Sequence, residues 1–167
     1  GQLVYADAYM KGIRGFNLEK AYEIAIASAK AADTLNEKPF KSFRPKTKEY
    51  LENAYVAEKL SDTLEYLLAD FVMYKVAESM GKTEDAAFFK SRADRYSDNF
   101  NSETGFMGPR KADGGFIPVE HEYVETGCVE SNIFQQSWFV PFDVEGLSKL
   151  FGQERFVMLL EKFFCKA

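Results

Sequence analysis

One carboxylate and three carboxamides lie close together in VESNIFQQSWFVPFDVEGL, the segment that spans residues 129–147. The carboxylate is Glu130, the second residue of the segment, and the amides are Asn132, Gln135 and Gln136. The apolar side chains around Glu130 are expected to exclude water from its carboxyl, which would favour the protonated form and a role as general acid near neutral pH. The pattern predicts a pocket wall that binds a polar ligand. Helix capping or solvation of Glu130, and an exposed helix surface for the two glutamines, are the open alternatives.

Four other side chains in this half of the chain are also candidates for chemistry. Trp138 is the only tryptophan and could stack on the apolar face of a sugar, although a lone tryptophan is more often part of a core. His121 has no second histidine or cysteine constellation, so neither a metal site nor a catalytic triad is predicted there. Arg110 and Asp113, in GPRKADGG, are predicted to pair and hold a loop. The candidate substrate-binding residues are Asn132, Gln135, Gln136 and Trp138.

Several common catalytic and metal-binding motifs are absent from the sequence. It has no glycine-rich phosphate loop, no HExxH, no GxSxG and no EF-hand calcium loop. Two cysteines, Cys128 and Cys165, are too few for a disulfide framework or a zinc cage. They are predicted to be free, partly buried thiols.

Composition predicts one folded domain with neutral partners. The chain has 167 residues, of which 46% are hydrophobic and 16% aromatic, enough for a sizeable core. Its formal net charge of -5 gives no basic surface for nucleic acid or anionic lipid. No apolar run approaches the roughly 20 residues of a membrane span.

Apolar residues recur at helical spacing in four segments, which predict helices near 17–33, 60–80, 84–100 and 143–165. Asn17 and Asp143 are predicted N-caps, Thr47 is expected to cap a short helical turn, and Gly81 should end the longest helix. Two apolar stripes on that helix predict burial on more than one side. Residues 105–130 lack periodicity and predict a long ordered loop. The fold class is therefore all-α, made of helical hairpins with no sheet of three or more strands.

Four blocks resemble the catalytic domain of glycoside hydrolase family 92 in order and approximate spacing. They are DAYMKGIRGF (7–16), LSDTLEYLLADF (60–71), ETGFMGPRKADGGF (103–116) and the segment 129–147. Members of this family are calcium-dependent, exo-acting α-mannosidases, chiefly bacterial. The resemblance implies an (α/α)6 toroid, of which residues 1–167 would be a single helical unit within a larger catalytic domain.

The resemblance also implies a catalytic role for Glu130, which matches the general acid that protonates the leaving glycosidic oxygen. Phe142 departs from the family, which usually has histidine there. Inverting glycosidases need a second carboxylate about 6.5–9.5 Å from the acid. In the family that base lies in a downstream Gly-Asn-rich block together with residues of the calcium site, and this chain ends before any such block. The chain alone is therefore predicted to be inactive, and no calcium ligand can be assigned in it.

Partners and location follow from the same resemblance. The expected partners are a mannose-containing glycan and the remainder of the catalytic domain. Inner faces of an opened toroid are expected to drive self-association of the isolated chain. The resemblance places the protein in the periplasm, on the surface or outside a bacterial cell.

Three functions compete on this sequence. The leading hypothesis is a fragment of an inverting exo-α-mannosidase that removes terminal mannose from glycans. The alternative is a non-catalytic helical module that binds carbohydrate or another partner. A helical repeat scaffold is disfavoured because no period of about 34 or 40 residues occurs between the helices.

Overall fold

The structure is a computed structural model that describes residues 2–30, 44 and 46–165. In chain order its elements are α1 Gln2–Met10, α2 Leu18–Lys30, α3 Thr47–Asn53, α4 Leu60–Ser79, α5 Thr83–Ala93, a 3-10 helix Asp94–Asn99, β1 Phe100–Asn101, β2 Phe106–Met107, α6 Ile133–Gln136, α7 Val144–Phe151 and α8 Gln153–Cys165. The two short strands form one antiparallel hairpin, and the described residues contain no larger sheet. The predicted all-α fold class is confirmed.

Helices α2 and α4 form close to where the sequence predicts them. Asn17 Oδ1 accepts a hydrogen bond from Lys20 N at 3.0 Å and so caps α2. The predicted residues 31–33 of this helix lie outside the described ranges. Gly81 follows the end of α4 with a φ of +70°, a conformation that glycine adopts readily.

Two predicted helices are interrupted. The segment 84–100 leaves the α-helix at Ala93 and tightens into the 3-10 helix, because Phe100 must enter the hairpin beside Met107. The segment 143–165 is two helices, α7 and α8, divided at Gly152, whose φ is +82°.

Two further details differ from the sequence prediction. Thr47 is the first residue of α3 rather than its cap, and its hydroxyl donates to the carbonyl of Arg44. Helix α1 was not predicted, since only Ala6 is buried along it and its apolar residues form no single stripe.

Helix α4 is buried on more than one side, as its two apolar stripes predicted. Leu64 and Leu67 belong to a core cluster that also contains Val140. Met73 and Val76, further along the helix, belong to a second cluster. This second cluster includes Ala6 of α1, Tyr22 of α2 and Phe89 of α5. Helix α4 is therefore shared by both halves of the core.

A buried charged cluster joins α3, α4 and α5. Asp70 is 1% exposed and accepts hydrogen bonds from Arg44 Nη1 at 2.8 Å, Arg92 Nε at 3.0 Å and Tyr50 Oη at 2.8 Å. Arg92 also donates to the carbonyls of Leu51 and Tyr50. Burial, together with the Asp70 charge, raises the pKa of Tyr50 well above its usual value, so the phenol remains a donor.

The long loop between β2 and α6 is ordered and lies across the start of α4. Glu58 N donates to Arg110 O at 2.7 Å. Arg110 does not pair with Asp113 as predicted; its guanidinium donates to the carbonyls of Asp98 and Gly114. Arg110 therefore holds the loop through backbone carbonyls, while the Asp113 carboxylate accepts a hydrogen bond from Gly115 N.

Candidate active site

Glu130 lies in a tight turn between the long loop and α6. Its φ of +52° is in the left-handed region, which is uncommon for a non-glycine residue. The preceding amide, Val129 N, donates to Ser61 Oγ at 2.9 Å. Ser61 N in turn donates to Gly127 O at 3.2 Å. The turn is thereby fastened to the first turn of α4.

The Glu130 side chain is exposed, which corrects the expectation that its neighbours exclude water from it. Ile133 and Phe134 are directed into the core, where they are 1% and 5% exposed, and Val129 is 60% exposed. These apolar residues therefore do not cover the carboxylate. Within the described part of the chain, the carboxylate faces solvent, where a ligand can reach it.

Asn132 and Gln135 cap helix α6. Asn132 Oδ1 accepts from Gln135 N at 2.9 Å, and Gln135 Oε1 accepts from Asn132 N at 3.1 Å. This reciprocal pair is a capping box, which satisfies two amides that a helix end leaves without partners. Gln135 is exposed and Asn132 is half-buried, so the pair lies at the surface beside Glu130.

Gln136 is buried, unlike the other two amides. Its Oε1 accepts hydrogen bonds from Ser61 Oγ and from Ser131 Oγ, each at 2.9 Å. The carbonyl oxygen that was expected to serve a ligand is thus committed to two serine hydroxyls of the protein.

Trp138 packs in an aromatic cluster. Its ring stacks on Phe151, with centroids 5.4 Å apart and planes 1° apart. Phe134, Phe156 and Phe163 meet it edge-on or nearly so. Its Nε1 is buried and has no hydrogen-bond partner among the described residues. Trp138 is therefore half-buried against the core, with one ring face already covered by Phe151.

Phe142 and Asp143 join this segment to the preceding helices. The Phe142 ring stacks on Phe71 of α4 at a centroid distance of 4.9 Å and meets Tyr96 edge-on at 5.6 Å. Asp143 caps α7, as predicted, by accepting from Gly146 N at 2.9 Å. Val140, between Trp138 and these residues, is fully buried. The 129–147 segment is therefore both core and surface, with the turn at Glu130 exposed.

His121, the only histidine of the chain, lies in the long loop. It is exposed, and its Nδ1 accepts from Tyr123 N at 3.2 Å. A cleft of about 220 Å³ lies there, bounded by Phe106, Ile133 and the polar run 120–122. A backbone hydrogen bond and the neighbouring Lys162 ammonium lower the pKa of Glu122 in this wall.

Both cysteines are free thiols, as predicted. Cys128 is half-buried, and burial raises the pKa of its thiol to about 11. Cys165 is exposed rather than partly buried, because it lies at the outer end of α8.

The oxygen atoms near Glu130 that could serve as calcium ligands are too few to hold the ion by themselves. No group of three or more His, Cys, Asp or Glu side chains that could hold a metal occurs within residues 2–30, 44 and 46–165. The carbonyl oxygens of Asn132, Gln135 and Gln136 already accept hydrogen bonds from the protein. Calcium takes six to eight oxygen ligands, so these residues would need others to hold it.

Sequence reasoning missed Ser61, Ser131 and the Asp70 cluster. Ser61 is 75 residues from Gln136, and a serine in the first turn of a helix carries no signal of such a distant partner. The signal at Asp70 was a carboxylate inside the otherwise apolar run 67–73 of α4. Such a residue needs a buried cation or donor.

The chain is similar to glycosidases along nearly its whole length. A family model described as the glycosyl hydrolase family 92 catalytic domain matches residues 1–167. The structure of the family GH92 α-mannosidase BT3965 from Bacteroides thetaiotaomicron is similar with a TM-score of 0.85, 29% identity and 98% of this chain covered. For the GH92 inverting mannosidase BT2199 of the same organism, the TM-score is 0.87, with 29% identity and 96% of this chain covered.

A curated relative is the protein named "Uncharacterized secreted glycosidase" from the fungus Arthroderma benhamiae, 25% identical over 95% of this chain. The chain spans 25% of that relative and 21% and 22% of the two mannosidase structures. No helix in the described ranges is long and apolar enough to cross a membrane.

Two findings establish the family. The family model matches every residue, and the helical fold is shared with two solved members. The fold agrees with part of an all-α toroid. The chain belongs to glycosyl hydrolase family 92 and is part of its catalytic domain.

Proposed function

We propose that this chain is the part of an inverting exo-α-mannosidase that carries the general acid, Glu130. The observation that supports this most is an exposed carboxylate held in a left-handed turn, within a chain similar to solved structures of α-mannosidases. Uncommon backbone conformations cluster at functional sites, because surrounding structure must hold them. The substrate would be a glycan with terminal mannose.

In this mechanism Glu130 donates its proton to the glycosidic oxygen as the bond from that oxygen to the sugar breaks. The aglycone leaves as a neutral alcohol, and Glu130 is left as a carboxylate. Water attacks the opposite face of the sugar, and a second carboxylate about 6.5–9.5 Å away accepts the water proton. We assign that base to the rest of the catalytic domain. The chain of 167 residues alone is therefore expected to hydrolyse no mannoside.

The surface amides would contact the sugar. Gln135 is exposed, and its amide nitrogen is not used in the capping box, in which Oε1 accepts. Asn132 likewise uses its oxygen in the cap. Both side chains can therefore donate to sugar hydroxyls while α6 stays capped. Gln136 and Trp138 would contribute less directly, since their described contacts are with the protein.

Calcium and location are further parts of the proposal. The family resemblance implies a calcium ion in the complete domain, and we expect its ligands to come chiefly from the rest of that domain. The proposed location is the periplasm, the surface or the outside of a bacterial cell. The name of the fungal relative, a secreted glycosidase, supports export and not the bacterial origin.

The test is to follow hydrolysis of an α-mannoside by the complete protein with proton NMR. We expect terminal mannose to be released and β-mannose to be the first anomer formed. First formation of α-mannose would contradict inversion. No release of mannose from any α-mannoside, with binding retained, would instead favour the non-catalytic carbohydrate-binding module.

A further inference from the structure

The backbone conformation of Glu130 requires an explanation from its surroundings. A left-handed conformation costs roughly 1–2 kcal/mol for a residue with a Cβ. It persists only where neighbouring contacts impose it. Apolar packing does not supply those contacts here, since Val129 is 60% exposed and Glu130 itself is exposed.

Hydrogen bonds on both sides of Glu130 supply them. Before it, Val129 N donates to Ser61 Oγ at 2.9 Å. After it, Ser131 Oγ donates to Gln136 Oε1, also at 2.9 Å. Ser61 Oγ donates to the same Gln136 oxygen at 2.9 Å, so the two sides are joined. We refer to Ser61, Ser131 and Gln136 as the serine–glutamine clamp.

Two of the three clamp residues are buried. Ser61 lies in the first turn of α4 and is 4% exposed. Gln136 is the last residue of α6 and is 9% exposed. If one partner of a buried hydrogen bond is removed, the other is left unsatisfied, which costs free energy. Little water can reach these buried positions to take the place of the missing partner.

We propose that Ser61 and Gln136 are positioning residues for Glu130, holding its backbone so that the carboxyl points toward the glycosidic oxygen. The proposal rests on the proposed role of Glu130 as general acid. A general acid must reach its acceptor within about 2.6–3.2 Å, so a loosened turn reduces proton donation before it affects sugar binding. Neither residue touches the substrate in this account.

The first measurement tests the clamp without reference to activity. In the complete protein, Ser61→Ala removes the acceptor of the Val129 amide, and hydrogen exchange of the peptide containing Val129 should accelerate. Ser91→Ala is the matched control, because the Ser91 hydroxyl is exposed on α5 and donates only to Phe88 O. Unchanged exchange in Ser61→Ala would overturn the clamp.

The second measurement compares leaving groups. Ser61→Ala loses both hydrogen bonds of the Ser61 hydroxyl, with Val129 N and with Gln136 Oε1. This predicts a fall in kcat/KM of roughly 5- to 20-fold for mannosides with poor leaving groups, and less than about 2-fold for activated aryl mannosides. Ser61→Thr retains a hydroxyl and should recover most of the loss. Ser131→Ala, at a half-buried position, gives the same test if Ser61→Ala fails to fold.

The reference is Glu130→Gln. The positioning role is supported if two results are found together. Glu130→Gln should lose more activity on mannosides with poor leaving groups than on activated ones, and Ser61→Ala should show the same difference together with faster hydrogen exchange of the Val129 peptide. If Glu130→Gln discriminates but the clamp variants lose activity equally on both classes, the clamp is merely structural and the inference is overturned. If Glu130→Gln does not discriminate, the general acid itself is wrong, and the inference fails with it. Adding Ser61→Ala to Glu130→Gln should not increase the difference in kcat/KM loss between poor and activated leaving groups any further.

Discussion

The Tyr96 hydroxyl donates a 2.6 Å hydrogen bond to Asp143 Oδ2. The other oxygen of Asp143 accepts from Gly146 N and caps α7. Two residues 47 positions apart therefore join the 3-10 helix to the start of α7. Burial, and then the Asp143 carboxylate, raise the pKa of Tyr96, so the phenol stays protonated and continues to donate at neutral pH.

Gly146 has no side chain at the point where these two residues meet. A Cβ at position 146 would overlap the Tyr96 hydroxyl and the Asp143 carboxylate. Gly146→Ala should therefore lower the free energy of unfolding by about 1–3 kcal/mol in a urea titration, although alanine is the better helix former. Gly15→Ala is the control, because a Cβ there meets nothing within 4 Å. A Gly146→Ala variant more stable than the unaltered protein would contradict this prediction, because the Tyr96 and Asp143 side chains would then have moved aside at little cost.

Asp70 should be among the most sensitive positions for folding. Asp70→Asn leaves two buried guanidinium groups, Arg44 and Arg92, without their shared carboxylate. Breaking a buried ion pair typically costs about 3–5 kcal/mol. Asp94→Asn removes a surface partner of Lys90 and should cost less than about 1 kcal/mol. Equal melting temperatures for the two variants would contradict the importance of the buried cluster.

The Cys128 thiol should react only slowly at pH 8. Burial raises the pKa of Cys128 to about 11, so its reactive thiolate is scarce at pH 8 and increases only as pH approaches that value. Iodoacetamide labelling followed by peptide mass spectrometry should show slow modification of Cys128 at pH 8. Cys128→Ser identifies the labelled peptide. Rapid labelling at pH 8 would mean that the thiol is more accessible than its half-buried position indicates.

The isolated chain of 167 residues should self-associate. Val157, Met158 and Phe164 of α8 are 52%, 58% and 72% exposed, and Val4 of α1 is 74% exposed. Apolar surface of this kind favours association. Sedimentation velocity should detect species larger than a monomer, and replacing the three α8 residues with serine should reduce them. A monomer at high concentration, with helical circular dichroism, would contradict the prediction.

Much of the fold could be predicted from the sequence because most helices bury a periodic face. The caps at Asn17 and Asp143 and the two-sided burial of α4 followed from local patterns. Helix α1 could not be predicted, since it buries only Ala6 and has no stripe. The change from α-helix to 3-10 helix after Ala93 could not be predicted, since apolar residues keep helical spacing through Phe100.

The candidate site was only partly predictable. Glu130 was found because it stands in a recognisable block, but its exposure was not, since its apolar neighbours pack into the core. Gln135 and Gln136 look alike in sequence, yet one caps a helix at the surface and the other is buried beneath Ser61 and Ser131. The role of Gln135 follows the local capping-box spacing with Asn132. The burial of Gln136 arises from its contact with Ser61 of α4, which no local pattern encodes.

Glu130→Gln in the complete protein tests the central claim most directly, because it removes the transferable proton while keeping the side-chain shape. A series of aryl α-mannosides with leaving groups of graded acidity would be used, with the exposed Glu125→Gln as matched control. We expect Glu130→Gln to lower kcat/KM by about 10²- to 10⁴-fold for poor leaving groups and by less than about tenfold for activated ones. Glu125→Gln should resemble the unaltered enzyme. An equal loss across the series, or no loss, would contradict the assignment of Glu130 as the general acid.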